Sequence, residues 1–249
     1  MILLETKGLV KRYSGRAVVD HVDLVVAQGE TVGLLGRNGA GKTTTFRMVI
    51  GMIAPNAGQV LFDGVNVTKM PMYKRARRGM GYLSQEPSIF QRLSVVDNLL
   101  AILETMRLTR AERRARAEQL MDQFGLAHVA GHDARTLSGG ERRKLEIARA
   151  LVTHPTMILL DEPFSGVDPI AVEELQSEIV ALKSSGISIL LTDHNVRETL
   201  NVTDRSYIID GGRVLREGTP RDLINDDLVR RTYLGRTFRG DEFDTAENP

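Results

Sequence analysis

Residues 31–50 read TVGLLGRNGAGKTTTFRMVI, and this stretch decides the fold. The apolar run Thr31–Leu35 predicts a buried strand, and the pattern of Thr44–Ile50 predicts a helix. Between them, Gly36–Thr43 fits G-x-x-x-x-G-K-[ST], a phosphate-binding motif that requires a strand before it and a helix after it. Both flanking elements are where the motif needs them, so the sequence predicts an α/β fold with a nucleotide site at the end of this strand.

The residue types of the loop explain its chemistry. Glycines let the backbone curl so that successive N–H groups face a phosphate, and the helix N-terminus adds a favourable dipole. We predict that Lys42 reaches the β- and γ-phosphates and that Thr43 ligates magnesium. The predicted ATP-binding residues of this stretch are Gly36, Arg37, Asn38, Gly39, Ala40, Gly41, Lys42, Thr43 and Thr44.

Length and composition exclude several classes of protein. The chain has 249 residues with 42% hydrophobic and 26% charged content, which suits one large domain or a domain with an inserted lobe. A net charge of +1, no Trp and 5% aromatic residues disfavour a nucleic-acid binder. With no Cys, disulfides, Cys-ligated zinc and thiol nucleophiles are excluded. The longest stretch of apolar residues and glycine, Met48–Ala54, is far short of the ~18 residues of a membrane span. The pattern predicts a cytoplasmic protein whose link to a membrane needs a partner.

Short apolar runs along the chain alternate with helical patterns, which indicates a buried, largely parallel sheet. From Ser94, a predicted N-cap, to Ala130 the pattern is helical, as in a lobe set into the core. We therefore divide the chain into a core (about 1–85 and 157–238), a helical lobe (about 86–156) and an acidic, flexible tail (239–249). The predicted strands are Val22–Val26, Thr31–Leu35, Val60–Phe62, Met157–Leu160, Ile187–Thr192 and Ser206–Ile209.

An acidic pair ends the apolar run Met157–Leu160. Ligands of open α/β sheets bind at the carboxyl ends of strands, so this is where magnesium chemistry is expected. Consecutive strand residues point to opposite sides, and the two acids therefore cannot do the same work. We assign Asp161 to magnesium, through water, and Glu162 to polarising the attacking water.

A second anion site is predicted at residues 137–141, before a helix. Ser138 and two glycines at a helix start can bind a phosphate, but one γ-phosphate hardly needs two such complete sites in a small chain. The economical explanation is a head-to-tail homodimer in which this loop closes on the partner's nucleotide. Its residues are Leu137, Ser138, Gly139, Gly140 and Glu141.

These motifs, in this order, resemble the nucleotide-binding subunits of ATP-binding cassette (ABC) transporters. The resemblance implies a P-loop NTPase with a RecA-like core, an antiparallel β subdomain and an inserted α-helical lobe. It also implies that Tyr13 stacks on adenine, that Gln85 contacts magnesium and senses a permease, and that His194 acts on the γ-phosphate. Asp168, in Ser165-Gly166-Val167-Asp168, matches the loop that faces the other subunit across the dimer.

Within that family, the chain is similar to the ATPases of bacterial lipopolysaccharide export. The similar stretches are Ser88-Ile89-Phe90-Gln91-Arg92-Leu93-Ser94, Arg75–Gly79, Thr192–Leu200 and Tyr233-Leu234-Gly235. The resemblance implies an ATPase, using ATP and Mg²⁺, that works as a homodimer on two integral permease subunits at the cytoplasmic face of the inner membrane. Phe90 and Arg92 are the candidate permease contacts. Two features depart from the pattern of this subfamily. Ser84 stands where proline is more usual, and the chain carries an acidic tail.

Three alternatives stay open. An importer ATPase, for example of the branched-chain amino acid type, shares the same motifs and differs in its lobe. A soluble cassette ATPase acting on DNA or ribosomes usually carries tandem cassettes or long insertions, and a small-molecule P-loop kinase would not need residues 137–141.

Two basic clusters, Lys74–Arg78 and Arg107–Arg116, are interpreted as solvated helix faces rather than as lipid or nucleic-acid sites.

Overall fold

The computed structural model describes residues 1–86, 88–166, 168–235 and 238. The predicted flexible tail lies outside these residues, as does Val167. In chain order the elements are β1 (Ile2–Tyr13), β2 (Arg16–Ala27), β3 (Thr31–Gly36), α1 (Lys42–Ile50), β4 (Ala57–Phe62), β5 (Val65–Asn66), α2 (Met72–Ala76), β6 (Met80–Leu83), α3 (Val95–Leu103), α4 (Arg110–Gln123), α5 (Gly139–Leu151), β7 (Met157–Asp161), α6 (Pro169–Ser184), β8 (Ser188–Thr192), α7 (Val196–Leu200), β9 (Arg205–Asp210), β10 (Arg213–Gly218), α8 (Pro220–Asn225) and α9 (Asp227–Val229), followed by a π-helical turn (Arg230–Leu234).

Two sheets organise the molecule. The larger has the strand order β10-β9-β3-β8-β7-β6, in which the strands from β9 to β6 run parallel and β10 is antiparallel. The smaller sheet is antiparallel, with the order β2-β1-β4-β5. β3, β7 and β8 are buried along their whole length, which explains their unbroken apolar sequences.

A helical lobe is inserted between β6 and β7. Its helices α3, α4 and α5 share one apolar cluster that continues beneath β7 and β8 toward α6. Ser94 caps α3, and its hydroxyl accepts a hydrogen bond from the Asp97 N–H at 3.1 Å. Among the described residues, no helix has the length and apolarity needed to cross a membrane.

All six predicted strands are present, but the residue pattern does not predict the two-residue β5, the edge strand β10, β1 or β6 as strands. β1 carries polar residues on both faces and shifts register at several points, among them Gly8 with φ 56°. Such irregularities hide the two-residue alternation that identifies a half-buried strand. β6 has only four residues, too few for periodicity to distinguish it from a loop.

The prediction that Lys74–Arg78 forms a solvated face is wrong for Arg75, which is 1% exposed. Its guanidinium donates to carbonyl oxygens of Met48, Val49, Thr68 and Met70. Two of these carbonyls belong to the last turn of α1, where helix carbonyls lack partners within the helix and a cation is favoured. The burial lowers the pKa of Arg75 to about 10.

Candidate functional site

Four neighbouring strands of the larger sheet bring the predicted site together. β6, β7, β8 and β3 are adjacent and parallel, so their carboxyl ends meet at one edge of the sheet. Thr192 of β8 lies opposite both Leu34 of β3 and Asp161 of β7. The phosphate loop follows β3, the acidic pair ends β7, and Gln85 and His194 follow β6 and β8. Sequence-distant residues are thus neighbours because the strands that precede them are neighbours.

The phosphate loop enters α1 through Gly41, which has a left-handed backbone with φ 107°. A Cβ at this position would lie 2.6 Å from the carbonyl oxygen of Val18, so a side chain is excluded for two independent reasons. Lys42 is 5% exposed, and its Nζ donates to the carbonyl oxygens of Gly36 at 2.6 Å and Arg37 at 3.2 Å. Burial lowers the pKa of Lys42, while the carboxylates of the neighbouring strands oppose that shift.

A cleft of about 620 Å³ opens beside this loop. It is lined by Gly36, Arg37, Asn38, Gly39, Ala40, His194, Asp210, Gly211 and Tyr233. Tyr233 comes from the π-helical turn near the end of the chain, and its hydroxyl is buried beside the backbone of Gly36. Burial raises the pKa of Tyr233 to about 12. The residue pattern assigns no role to Tyr233, because nothing in it brings this turn back to the phosphate loop.

The acidic pair has two environments. Asp161 is 4% exposed at the end of β7, and burial raises its pKa. Glu162 has left the strand with a left-handed backbone, φ 49°, and its side chain is 17% exposed. The two acids therefore differ because of this backbone turn, and not because of the strand alternation that was used to predict their difference. A non-glycine residue with positive φ is uncommon and costs free energy.

The side chains of Gln85 and His194 both lie against the carboxylate of Glu162. Gln85 Nε2 donates to Glu162 Oε2 at 2.8 Å, and His194 Nδ1 lies 3.5 Å from the same oxygen. Behind His194, the fully buried Asp193 accepts hydrogen bonds from the backbone N–H groups of Phe164 and Asn195 at 2.8 and 2.9 Å. Burial raises the pKa of Asp193. Asp193 ties the segment after Glu162 to the segment after His194, a role its position next to His194 did not reveal.

The donor set at this edge suits magnesium. Asp161 Oδ1 is buried and accepts no hydrogen bond from any described residue, so it is an acceptor without a partner. Within the described residues, no group of three or more His, Cys, Asp or Glu side chains forms a metal cage. Magnesium is usually bound by one or two carboxylates together with substrate phosphates, rather than by such a cage. Asp161 and the Thr43 hydroxyl at the start of α1 match this requirement.

The predicted second anion site begins helix α5. Ser138 and Glu141 form a capping box, in which Ser138 Oγ donates to Glu141 Oε2 at 2.7 Å and accepts from the Glu141 N–H at 3.2 Å. His128 Nε2 lies 3.3 Å from Glu141. Leu137 packs in the lobe cluster, and a Cβ added at Gly139 or Gly140 would meet no atom within 4 Å. Among described side-chain hydrogen bonds and ion pairs, none joins Ser138 or Glu141 to the phosphate loop.

The remaining predicted residues lie on the surface. Tyr13 is 49% exposed at the end of β1, with Lys11 Nζ 5.4 Å from its ring centroid. Asp168 is the exposed N-cap of α6 and accepts from the Ala171 N–H at 3.1 Å. Phe90 is 44% exposed on the lobe, where Arg149 stacks on its ring at 4.5 Å, and Arg92 is exposed two residues later.

Comparisons with known proteins agree with this architecture. Residues 19–165 match the family model described as ABC transporter. The lipopolysaccharide export system ATP-binding protein LptB of Escherichia coli K12 is 52% identical over 240 residues, which is 96% of this chain and all of the relative. Its Haemophilus influenzae counterpart is 49% identical with the same coverage.

Solved structures show the same fold. An ATP-binding cassette of an ABC transporter in its ADP conformation superposes with a TM-score of 0.85 at 26% identity, covering 94% of this chain and 99% of the other. A dimeric cassette in a post-hydrolysis state bound to ADP and phosphate has a TM-score of 0.78 at 25% identity, covering 88% and 99%. The chain belongs to the ABC transporter family and is an ATPase of the ATP-binding-cassette fold.

Proposed function

We propose that the chain powers lipopolysaccharide export as the ATPase of a transporter in the inner membrane. The observation that carries this proposal is the full-length agreement with relatives named for lipopolysaccharide export, at 49% and 52% identity over 96% of the chain. The agreement therefore includes the helical lobe. Differences between the cassettes of different transporters are expected in that lobe, because it is the part that meets the permease.

ATP binding uses the phosphate loop and Tyr13. The loop amides and Lys42 hold the phosphates, the exposed Tyr13 ring stacks on adenine, and Asp161, Thr43 and Gln85 hold the magnesium ion. The ion supplies charge neutralisation at the β- and γ-phosphates. Support for these roles comes from their shared sheet edge, the buried Lys42 ammonium and the unpartnered Oδ1 of Asp161.

Hydrolysis is assigned to Glu162 and His194. Glu162 accepts a proton from the water that attacks the γ-phosphorus, and the bond to the leaving β-phosphate oxygen breaks. The His194 side chain is 47% exposed and lies 3.5 Å from Glu162, which supports its assignment to the γ-phosphate. The hydrogen bond from Gln85 to Glu162 links this carboxylate to the start of the lobe.

A homodimer completes each site. Residues 137–141 and Asp168 begin two helices and are not bonded to the phosphate loop of their own chain among the described contacts, which supports their action on nucleotide held by the partner. ATP then favours the closed dimer because Ser138 and the glycine N–H groups find a phosphate only in that state. The dimeric cassette among the similar structures has the same architecture. Phe90 and Arg92 provide an aromatic and a charged contact for the permease.

The test is purification of the tagged protein from detergent-solubilised membranes of its native host, followed by mass spectrometry. We expect a pair of integral proteins of the lipopolysaccharide-export type to be recovered, with the ATPase at the cytoplasmic face. Recovery of an importer permease would contradict lipopolysaccharide as the cargo. Recovery of ribosomes, of DNA-associated proteins or of no membrane partner would contradict the transport function. In the same preparation, Phe90→Ala should lower recovery of the permease, whereas Tyr73→Ala, also exposed and aromatic, is the matched control.

A further inference from the structure

Tyr82 makes a contact with the acidic pair that no part of the proposed function uses. It lies on β6, opposite Leu159 of β7, two residues before the end of that strand at Asp161. Its hydroxyl donates a hydrogen bond to Asp161 Oδ2 at 3.2 Å. The ring is half-buried and packs against the apolar cluster beneath the phosphate loop.

The two oxygens of Asp161 are therefore not equivalent. Oδ2 is bonded to Tyr82, whereas Oδ1 is buried and accepts no hydrogen bond from the described residues. A carboxylate can accept about four hydrogen bonds, so a buried oxygen with none calls for a partner that the described residues do not supply. A hard cation or a water molecule bound to one meets that requirement.

Tyr82 is suited to hold this carboxylate. A phenol hydroxyl has an ordinary pKa of about 10, so it keeps its proton at physiological pH and can donate to Asp161 Oδ2. A neutral O–H donor can fix the rotation of the carboxylate without neutralising its charge. Hydrogen bonds to metal-ligating carboxylates orient the ligand and tune its affinity for the metal.

We propose that Tyr82 is a positioning residue for magnesium, which fixes Asp161 through Oδ2 and leaves Oδ1 for the metal or its bound water. This inference rests on the proposed ATP and magnesium site. Tyr82 does not touch nucleotide or metal in this assignment, and it acts only through Asp161.

The test uses the full-length Tyr82→Phe variant and a fluorescent ATP analogue, titrated in EDTA and at increasing Mg²⁺ concentration. We expect nucleotide affinity in EDTA to be unchanged and the Mg²⁺ concentration for half-maximal enhancement of binding to rise about tenfold or more, the usual effect of removing such a partner. Tyr207→Phe is the matched control. Its hydroxyl is also bonded, to Arg205 at 2.7 Å and the Val25 N–H at 3.1 Å, but to no residue of the site.

A double-mutant cycle separates this role from a general loss of stability. If Tyr82 acts through Asp161, Tyr82→Phe has no further effect on Mg²⁺ dependence in an Asp161→Asn background. An unchanged Mg²⁺ dependence in Tyr82→Phe, or an equal change in Tyr207→Phe, overturns the inference. A wild-type protein that binds ATP without any Mg²⁺ enhancement overturns the proposed magnesium site itself, so the two failures are distinguishable.

Discussion

Gln85 donates a hydrogen bond to Glu162 across the exits of β6 and β7, with 2.8 Å between Nε2 and Oε2. Gln85 follows the strand that leads into the helical lobe, whereas Glu162 follows the strand that leaves it. A movement of the lobe relative to the core would therefore change the surroundings of the carboxylate that we assign as general base. His194, 3.5 Å from the same oxygen, adds a second contact from the end of β8.

Glu162→Gln tests that assignment. The amide keeps the shape of the side chain but cannot accept a proton from water, so ATP binding should be preserved while turnover falls at least about 10²-fold. The variant should also accumulate as a dimer in the presence of ATP, because the ATP bound in the closed state is no longer hydrolysed. Sedimentation velocity measures this dimer. Glu118→Gln, on an exposed lobe helix, is the control that should leave both properties unchanged. Brisk hydrolysis by Glu162→Gln would show that another group takes the proton.

Lys42→Ala should weaken nucleotide binding by about tenfold or more. The buried ammonium, now held by the carbonyl oxygens of Gly36 and Arg37, is the cation that would face the phosphates, and charge-assisted hydrogen bonds are about twice as strong as neutral ones. Titration with a fluorescent ATP analogue measures the loss, with the exposed Lys69→Ala as control. Equal affinities of Lys42→Ala and wild type would contradict the phosphate site.

Local chemistry encodes the parts of this site that are predictable from the sequence. The phosphate loop and the strand ending in Asp161 and Glu162 have signatures in adjacent residues, and the order of parallel strands then places them at one edge. Capping by Ser94 and Ser138 is likewise predictable, because it depends on one side chain and the next turn of helix.

Contacts between distant segments cannot be predicted in this way. Arg75 resembles one member of a solvated basic cluster, yet its guanidinium is buried against carbonyls from other segments. Tyr82 and Tyr233 reach the site only because of the register of β6 and the path of the last turn. The left-handed backbone of Glu162 likewise has no signature in the sequence, because positive φ is uncommon for a residue other than glycine and no glycine marks this turn.

Asp161→Asn should stabilise the nucleotide-free protein at neutral pH. Burial raises the folded-state pKa of Asp161 above its unfolded value, so ionised Asp161 lowers stability above the folded pKa. That penalty disappears as pH falls below the unfolded value of about 3.8, and each unit of raised pKa corresponds to about 1.4 kcal/mol.

Urea unfolding of both proteins between pH 4 and pH 8 provides the measurement. The advantage of Asp161→Asn should be largest at pH 8 and should shrink toward pH 4, while the Mg²⁺ concentration needed for half-maximal enhancement of its nucleotide binding should rise. Asp97→Asn, at an exposed helix start, should show no such gain at high pH. A variant less stable than wild type at pH 8 would mean that the carboxylate is stabilised in the free protein by contacts stronger than its burial penalty.

Arg75→Met should destabilise the core by at least about 2 kcal/mol, because hydrogen bonds to a charged group contribute about 1.5–3 kcal/mol and four carbonyls lose their donor. Met fills much of the same space, so the loss measures the guanidinium rather than a cavity. Two of those carbonyls end α1, the helix that begins at Lys42, so nucleotide affinity should fall together with stability. Arg78→Met removes an exposed neighbour of the same type and should change neither. If Arg75→Met unfolds at the same urea concentration as Arg78→Met, the buried guanidinium does not stabilise this helix end.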